Sequence, residues 1–198
     1  MLIGLTGSAG CGKSTALGVF GSLGWRTLDA DALCHEIYSE AGSAFAQKVE
    51  ARWGRSAIDG AGRPDRKAIA ALAFREKSEL EWLGATLHPE IQRRALASYE
   101  ASGGKATIFD VPLLFESAWQ GLFKAVICVW CEASIQRSRL LERGWDSARI
   151  EACLAAQMPS DKKLELADYG LVNNSSLEAL KLQCETLSQT ILNSHSNN

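Results

Sequence analysis

The stretch Met1-Leu-Ile-Gly-Leu-Thr-Gly-Ser-Ala-Gly-Cys-Gly-Lys-Ser14 decides the fold. Its first half, Leu2 to Thr6, is an apolar run of strand length, and its second half matches GxxxxGK[ST] through Gly7, Gly12, Lys13 and Ser14. Glycines let the backbone curl so that successive amides point inward at an anion, and a helix starting at Lys13 adds roughly half a positive charge at its N-terminus. A motif of this kind between a strand and a helix is a phosphate loop. The candidate triphosphate ligands are therefore Gly7, Gly10, Cys11, Gly12, Lys13, Ser14 and Thr15. Lys13 has the reach for the terminal phosphates, and the Ser14 hydroxyl is the candidate ligand for Mg²⁺.

Outward from this stretch, four more apolar segments read as strands: Trp25 to Leu28, Thr107 to Val111, Val126 to Trp130 and Tyr169 to Val172. Most lack period-2 alternation, which is what a parallel sheet covered on both faces requires. The expected fold is α/β, a phosphate-loop NTPase-type sheet of five parallel strands with helices on both faces. Between strands two and three, residues 32–105 read as helical apart from a loop over Gly54 to Pro64, where Asp59-Gly-Ala-Gly62 marks a turn. That is more chain than one crossover needs, and an insertion of this kind is the expected place for an acceptor pocket. Ser78-Glu-Leu-Glu81 and Ser175-Ser-Leu-Glu178 have capping-box spacing and predict helix starts. The polar end Asn193 to Asn198 is expected to fray.

The chain has 198 residues, a length expected to fold as one domain, and its 46% hydrophobic and 22% charged content is ordinary globular usage. A net charge of -2 gives no general attraction to nucleic acid or to an anionic membrane, so the phosphate site must supply its own positive field. The N-terminal apolar run is too short and too uncharged for a signal peptide, and no segment reaches membrane-spanning length; a cytoplasmic location is expected. Nothing in the sequence specifies an oligomeric state. Cys128 and Cys131 form a CxxC, but inside an apolar strand-like stretch, where buried structural thiols are expected rather than a redox or zinc pair.

Phosphate loops serve switches, motors and kinases alike. A guanine-specific switch carries an Asn/Thr-Lys-x-Asp segment, and no lysine here follows Asn or Thr. A kinase needs an acceptor-side base and cationic groups over the transferring phosphoryl. Leu28-Asp-Ala-Asp31 offers carboxylates where the second strand ends, with Asp31 or Asp29 as candidate base or as helix cap. Arg139 and Arg143 stand four apart on an arginine-rich helix that ends at Gly144, the spacing of one helical face and the composition of a lid.

These residues together resemble the dephospho-coenzyme A kinase family. The likeness runs through the phosphate loop, Asp29-Ala-Asp31, Asp65-Arg66, Leu87-His88-Pro89, Asp110-Val-Pro-Leu-Leu-Phe-Glu116, the two arginines, and Gln157 through Ala167-Asp168. The resemblance implies an ATP-dependent transfer to the ribose 3′-hydroxyl of dephospho-coenzyme A, with Mg²⁺ beside ATP. It implies a core of about 1–31, 106–132 and 168–192, an acceptor-binding insertion of about 32–105 and a lid of about 133–167. By the same resemblance Lys13, Asp31, Arg139 and Arg143 are catalytic, Asn174 borders the adenine, and Asp31, Arg66, His88, Leu114, Phe115 and Glu116 meet the acceptor. His88 before Pro89 also reads as a packing residue at a helix start. Gly144 after Arg143, a shorter lid, and Val172-Asn-Asn-Ser175 depart from the family pattern. The alternatives are another small-molecule kinase of the nucleotide or shikimate type, and a regulatory nucleotide-binding protein without acceptor chemistry.

Overall fold

The computed structural model describes residues 1–196, and the chain divides into two compact units: Met1–Asp29 with the chain from Ser102 onward, and Ala30–Ala101. The first unit is built on five parallel strands, β1 (Leu2–Thr6), β2 (Arg26–Asp29), β3 (Thr107–Asp110), β4 (Ala125–Trp130) and β5 (Tyr169–Val172), in the order β2-β3-β1-β4-β5. Strand positions agree with the sequence reading to within one residue. Residues of β1 are buried on both faces, which is why the strand reads as unbroken hydrophobicity.

Alternation along β1 sorts the core into two layers. Ile3 and Leu5 join Ala16, Val19 and Phe20 of α1 (Lys13–Ser22) and Leu180, Cys184 and Ile191 of the C-terminal helix in one buried cluster. On the opposite face Gly4 leaves room for Leu114 and Phe123: a Cβ there would stand 2.7 Å from Leu114 Cδ1. Phe109, Trp119 and Phe123 fill this second layer edge to face and tilted.

Helices α6 (Ala133–Glu142), α7 (Ser147–Ala155) and α8 (Ser160–Leu166) follow β4. The first of them stops where the sequence says it should. Gly144 takes φ 79°, and the amides of Gly144 and Trp145 return to the carbonyls of Leu141 and Leu140.

The second unit holds α2 (Ala30–Ser39), α3 (Ala44–Trp53), α4 (Arg66–Ala73) and α5 (Lys77–Ala101). Its loop is a small hairpin-like turn. Ile58 bridges Pro64, and Asp59 Oδ1 accepts from the amides of Ala61 and Arg63 at 2.8 and 2.9 Å. Arg94 of α5 binds Glu40 at the end of α2 and Glu90 one turn back, which pushes its guanidinium up, while Arg93, with Arg94 beside it, holds the Glu90 carboxyl down to about 2.

Three local expectations need correction. Ser78 does not begin a helix: α5 already starts at Lys77, and the free first-turn amides of Glu79 and Leu80 go to the Glu76 carbonyl. Pro89 marks no helix start either, because α5 runs through it for 25 residues. At the last helix, α9 (Leu177–Ser196), the cap is Ser176 rather than Ser175, with the Ala179 amide donating to Ser176 Oγ at 3.2 Å. Of the polar end, Asn193 to Ser196 continue α9, and Asn197 and Asn198 lie outside the described residues. Replacing Ser176 by Ala is expected to cost about 1 kcal/mol, whereas Ser175→Ala should leave stability within about 0.5 kcal/mol, read from urea unfolding midpoints.

Candidate active site

The phosphate loop joins β1 to α1 through three glycines with positive φ: Gly7 at 144°, Gly10 at 83° and Gly12 at 97°. At Gly7 and Gly12 the requirement is twofold, because the conformation disfavours a side chain and no space exists for one. A Cβ on Gly7 would stand 2.3 Å from the Val129 carbonyl oxygen, and on Gly12 it would stand 2.2 Å from Asn173 Nδ2. Gly12 is the N-cap of α1, no side chain caps that helix, and its first turn carries no acidic residue. The amides and the positive end of α1 are thus left for an external anion. Ser14 and Thr15 in the same turn are exposed, and Lys13 is half-buried.

Side chains from the far half of the unit hold the loop from behind. Asn173 Nδ2 donates to the Cys11 carbonyl at 2.9 Å, Gln136 Nε2 to the Ala9 carbonyl at 2.6 Å, and Ser160 Oγ to Ser8 Oγ at 2.8 Å. The Ala9 amide donates to Gln157 Oε1 at 3.1 Å. Asn173, Gln136 and Ser160 were not legible as site residues. Of the four, only Gln157 is marked by the sequence, within the family-like stretch that ends at Asp168.

Arg139 lies on the last turn of α6 and places Nη2 3.5 Å from Asn173 Oδ1, while its Nη1 is buried without a hydrogen-bond partner. A buried guanidinium nitrogen without an acceptor is costly, and an anionic ligand is the natural one. Arg143, just past the end of α6, is exposed. Asn174 is tied to the start of the same helix, accepting from the Glu132 amide at 2.8 Å and donating to Glu132 Oε1 at 3.1 Å. Its edge strand is finished by Gln183, whose amide pairs with both backbone groups of Val172 at 2.9 Å.

The segment after β3 holds a second network. Lys163 of α8 is fully buried, and its ammonium donates to the Pro112 carbonyl at 2.7 Å and pairs with Glu116 at 2.8 Å. Glu116 also accepts from the Met158 amide, and Thr6, the residue before Gly7, donates its hydroxyl to the same Pro112 carbonyl. The Glu116 carboxylate is therefore held by α8. Leu114, expected at the acceptor, is fully buried over Gly4, so its side chain serves the core. Phe115 beside it is half-buried.

Asp31, Arg66 and His88 belong to the second unit. Asp31 is exposed in the first turn of α2. Burial pushes the Cys34 thiol up, and on it Arg66 and Asp31 act in opposite directions. Arg66 also lies over the Tyr38 ring at 6.0 Å, and burial drives that phenol up to about 12. Tyr38, His35, Asp65 and Arg66 line a cavity of ≈ 400 Å³. His88 is not among its lining residues. It packs against Gly84 one turn earlier, and burial lowers its imidazole below the usual range.

Among the described residues no three His, Cys, Asp or Glu side chains gather as a metal cluster. Mg²⁺ asks for less, since it keeps most of its waters and takes one protein oxygen beside the phosphates. The exposed Ser14 hydroxyl on an uncapped helix start fits that role. Asp110 is nearly buried beside Leu5 of β1 and in register with Asp29 of β2.

A parallel sheet in the order 2-3-1-4-5, with a glycine cradle after its central strand and an arginine facing it, defines a phosphate-loop kinase of small molecules. The chain belongs to the dephospho-CoA kinase family, whose model matches residues 1–179. A dephospho-CoA kinase of Symbiobacterium thermophilum is 34% identical over 188 residues, covering 93% of this chain and 78% of that one. A solved protein of Thermus thermophilus has a TM-score of 0.82 at 29% identity over 96% and 97% of the two chains. The dephospho-CoA kinase of Campylobacter jejuni has a TM-score of 0.73 at 25% identity over 98% of each. No helix among the described residues is long and apolar enough to cross a membrane.

The Glu116–Lys163 pair makes an asymmetric prediction. Glu116→Ala strands a fully buried ammonium and is expected to destabilise the protein by about 3–5 kcal/mol. Lys163→Met removes the buried charge and leaves a carboxylate whose side chain is 20% exposed, so it should cost less. Urea unfolding of the two variants gives the order directly.

Proposed function

We propose that the protein transfers the γ-phosphoryl group of ATP to the ribose 3′-hydroxyl of dephospho-coenzyme A, giving coenzyme A and ADP. The observation that carries this reading is the uncapped start of α1 behind a glycine cradle that admits no Cβ, set in a chain of the dephospho-CoA kinase family. In phosphoryl transfer the protein does little covalent chemistry, and positioning and charge stabilisation supply the rate.

The roles follow from what each group can offer. The loop amides orient the triphosphate, and Lys13 and the orphaned Nη1 of Arg139 answer the charge on the transferring group. Arg143, exposed and adjacent in chain to a glycine of positive φ, is a second cation for the lid. The Ser14 hydroxyl would hold Mg²⁺ beside the phosphates, where the ion would neutralise oxygen charge. Asp31 takes the proton of the attacking hydroxyl. The second unit, with Arg66 at its cavity, serves the acceptor, and α6 to α8 serve as lid. Asn174, fixed beside Glu132, borders the adenine.

Coupled detection of ADP tests the substrate assignment: release is expected to depend strongly on added dephospho-coenzyme A, and turnover indifferent to that acceptor overturns the reading. Shikimate and nucleoside monophosphates serve as acceptor controls. For the base, Asp31→Asn is expected to lower kcat by about 10²- to 10⁴-fold with ATP affinity nearly unchanged, because the carboxylate acts on the proton in the transition state. Collapse of ATP binding in that variant would assign Asp31 elsewhere.

A further inference from the structure

From Ala9 to Gly12 the phosphate loop uses its backbone amides alternately. The Ala9 amide donates to Gln157 Oε1 at 3.1 Å and the Cys11 amide to the Ser8 carbonyl at 3.2 Å. The amides of Gly10 and Gly12 have no partner among the described residues. Their peptides are nevertheless held, from the carbonyl end. Gln136 Nε2 of α6 donates to the Ala9 carbonyl at 2.6 Å, and Asn173 Nδ2, just past β5, donates to the Cys11 carbonyl at 2.9 Å.

A peptide is planar, and in the trans form its C=O and N–H point in opposite directions. The Ala9–Gly10 and Cys11–Gly12 peptides are both trans. Fixing the Ala9 carbonyl on Gln136 therefore turns the Gly10 N–H away from α6, and fixing the Cys11 carbonyl on Asn173 turns the Gly12 N–H away from the chain that leaves β5. Gln136 and Asn173 are both buried, so a peptide that rotated would leave a polar group unpaired in a dry place. The fit is close as well: a Cβ on Gly10 would stand 3.2 Å from Gln136 Cγ, and one on Gly12 would stand 2.2 Å from Asn173 Nδ2. Asn173 is held at its other end too, with Arg139 Nη2 3.5 Å from Oδ1.

We propose that Gln136 and Asn173 are positioning residues that aim the Gly10 and Gly12 amides, one each, at the phosphate chain of the nucleotide. Glycine has little backbone preference of its own, so the direction of its amide must be imposed from outside. Two carboxamides from far along the chain impose it. A carboxamide suits the task because it donates to the carbonyl without a charge of its own, which leaves the backbone amides as the groups that the anion meets. Donors fixed in direction before the charge arrives need no rearrangement when it does.

This inference rests on the reading of the loop as an ATP site, and the test keeps the two apart. The chain has 17 glycines, few enough for their amide signals to be assigned in full-length protein labelled with ¹⁵N-glycine. In the wild type the Gly10 and Gly12 signals are expected to move downfield when ATP binds. Gln136→Met, which removes the donor and keeps the length, should sharply reduce the shift at Gly10 and keep it at Gly12; Asn173→Ala should do the reverse. Each variant should weaken ATP binding about tenfold by calorimetry, the worth of a hydrogen bond to a charged group. Thermal unfolding of the ligand-free variants shows that they are folded, and one that is not is replaced by the isosteric acid, Gln136→Glu or Asn173→Asp, read by the same two signals. Reduced shifts at both glycines in each variant, no change at either, or unaltered ATP affinity overturns the proposal. Wild-type protein that binds no ATP would instead defeat the functional reading, while inorganic triphosphate titrated in its place still reads the two amides.

Discussion

Everything in the first unit depends on one constraint: a backbone that must turn its amides inward between β1 and α1 with no side chain in the way. Gly7 is pressed against the Val129 carbonyl and Gly12 against Asn173, so the loop is a tight fit rather than a flexible strap. That fit demands walls. The last residues of β4, α6, the start of α8 with the turn before it, and the loop after β5 supply them, which is why the four polar contacts that hold the loop come from positions 136 to 173. A chain with net charge -2 has no general appeal for a triphosphate, and the positive field at the loop is made locally, by an uncapped helix start and Lys13.

How much of this the sequence discloses follows the range of the interaction involved. The strands are read nearly to the residue because central parallel strands, buried on both faces, leave continuous apolar runs. The loop is read because its chemistry is written in eight consecutive residues. Helix starts fared worse. Ser175 and Ser176 offer the same hydroxyl, and only the backbone turn after β5 chooses the second; at α5 a lysine one position before Ser78 already belongs to the helix. His88-Pro89 was open to reading as a helix start, since a proline costs least there, yet packing carries α5 straight through it.

The side chains that the sequence hides are those whose partners are distant along the chain. Lys163 is the plainest case. Within Asp-Lys-Lys-Leu-Glu it looks like one more surface lysine, and only the contact of α8 with the Pro112 segment reveals a fully buried ammonium. Glu116 illustrates the converse. The family resemblance gave it to the acceptor, and the structure engages it with Lys163 and the Met158 amide. Asn173 and Asn174 are neighbours in one polar run, but the first is buried against the phosphate loop and the second faces Glu132. No propensity distinguishes them; the direction in which the chain leaves β5 does.

These long-range contacts also close on themselves. Arg139 faces Asn173, Asn173 donates to the Cys11 carbonyl, and Gln136, one turn before Arg139 on α6, donates to the Ala9 carbonyl of the same loop. A ring of this sort ties the phosphate loop to the placement of Arg139. Gln136, donating both to Ala9 and to the Cys11 sulfur, braces the ring from the same helix that carries Arg139. Arg139 Nη1, buried without a hydrogen-bond partner, leaves the ring with an unsatisfied donor. The loop motif alone marks a phosphate site; it is the ring behind it that makes the loop and Arg139 one piece of structure.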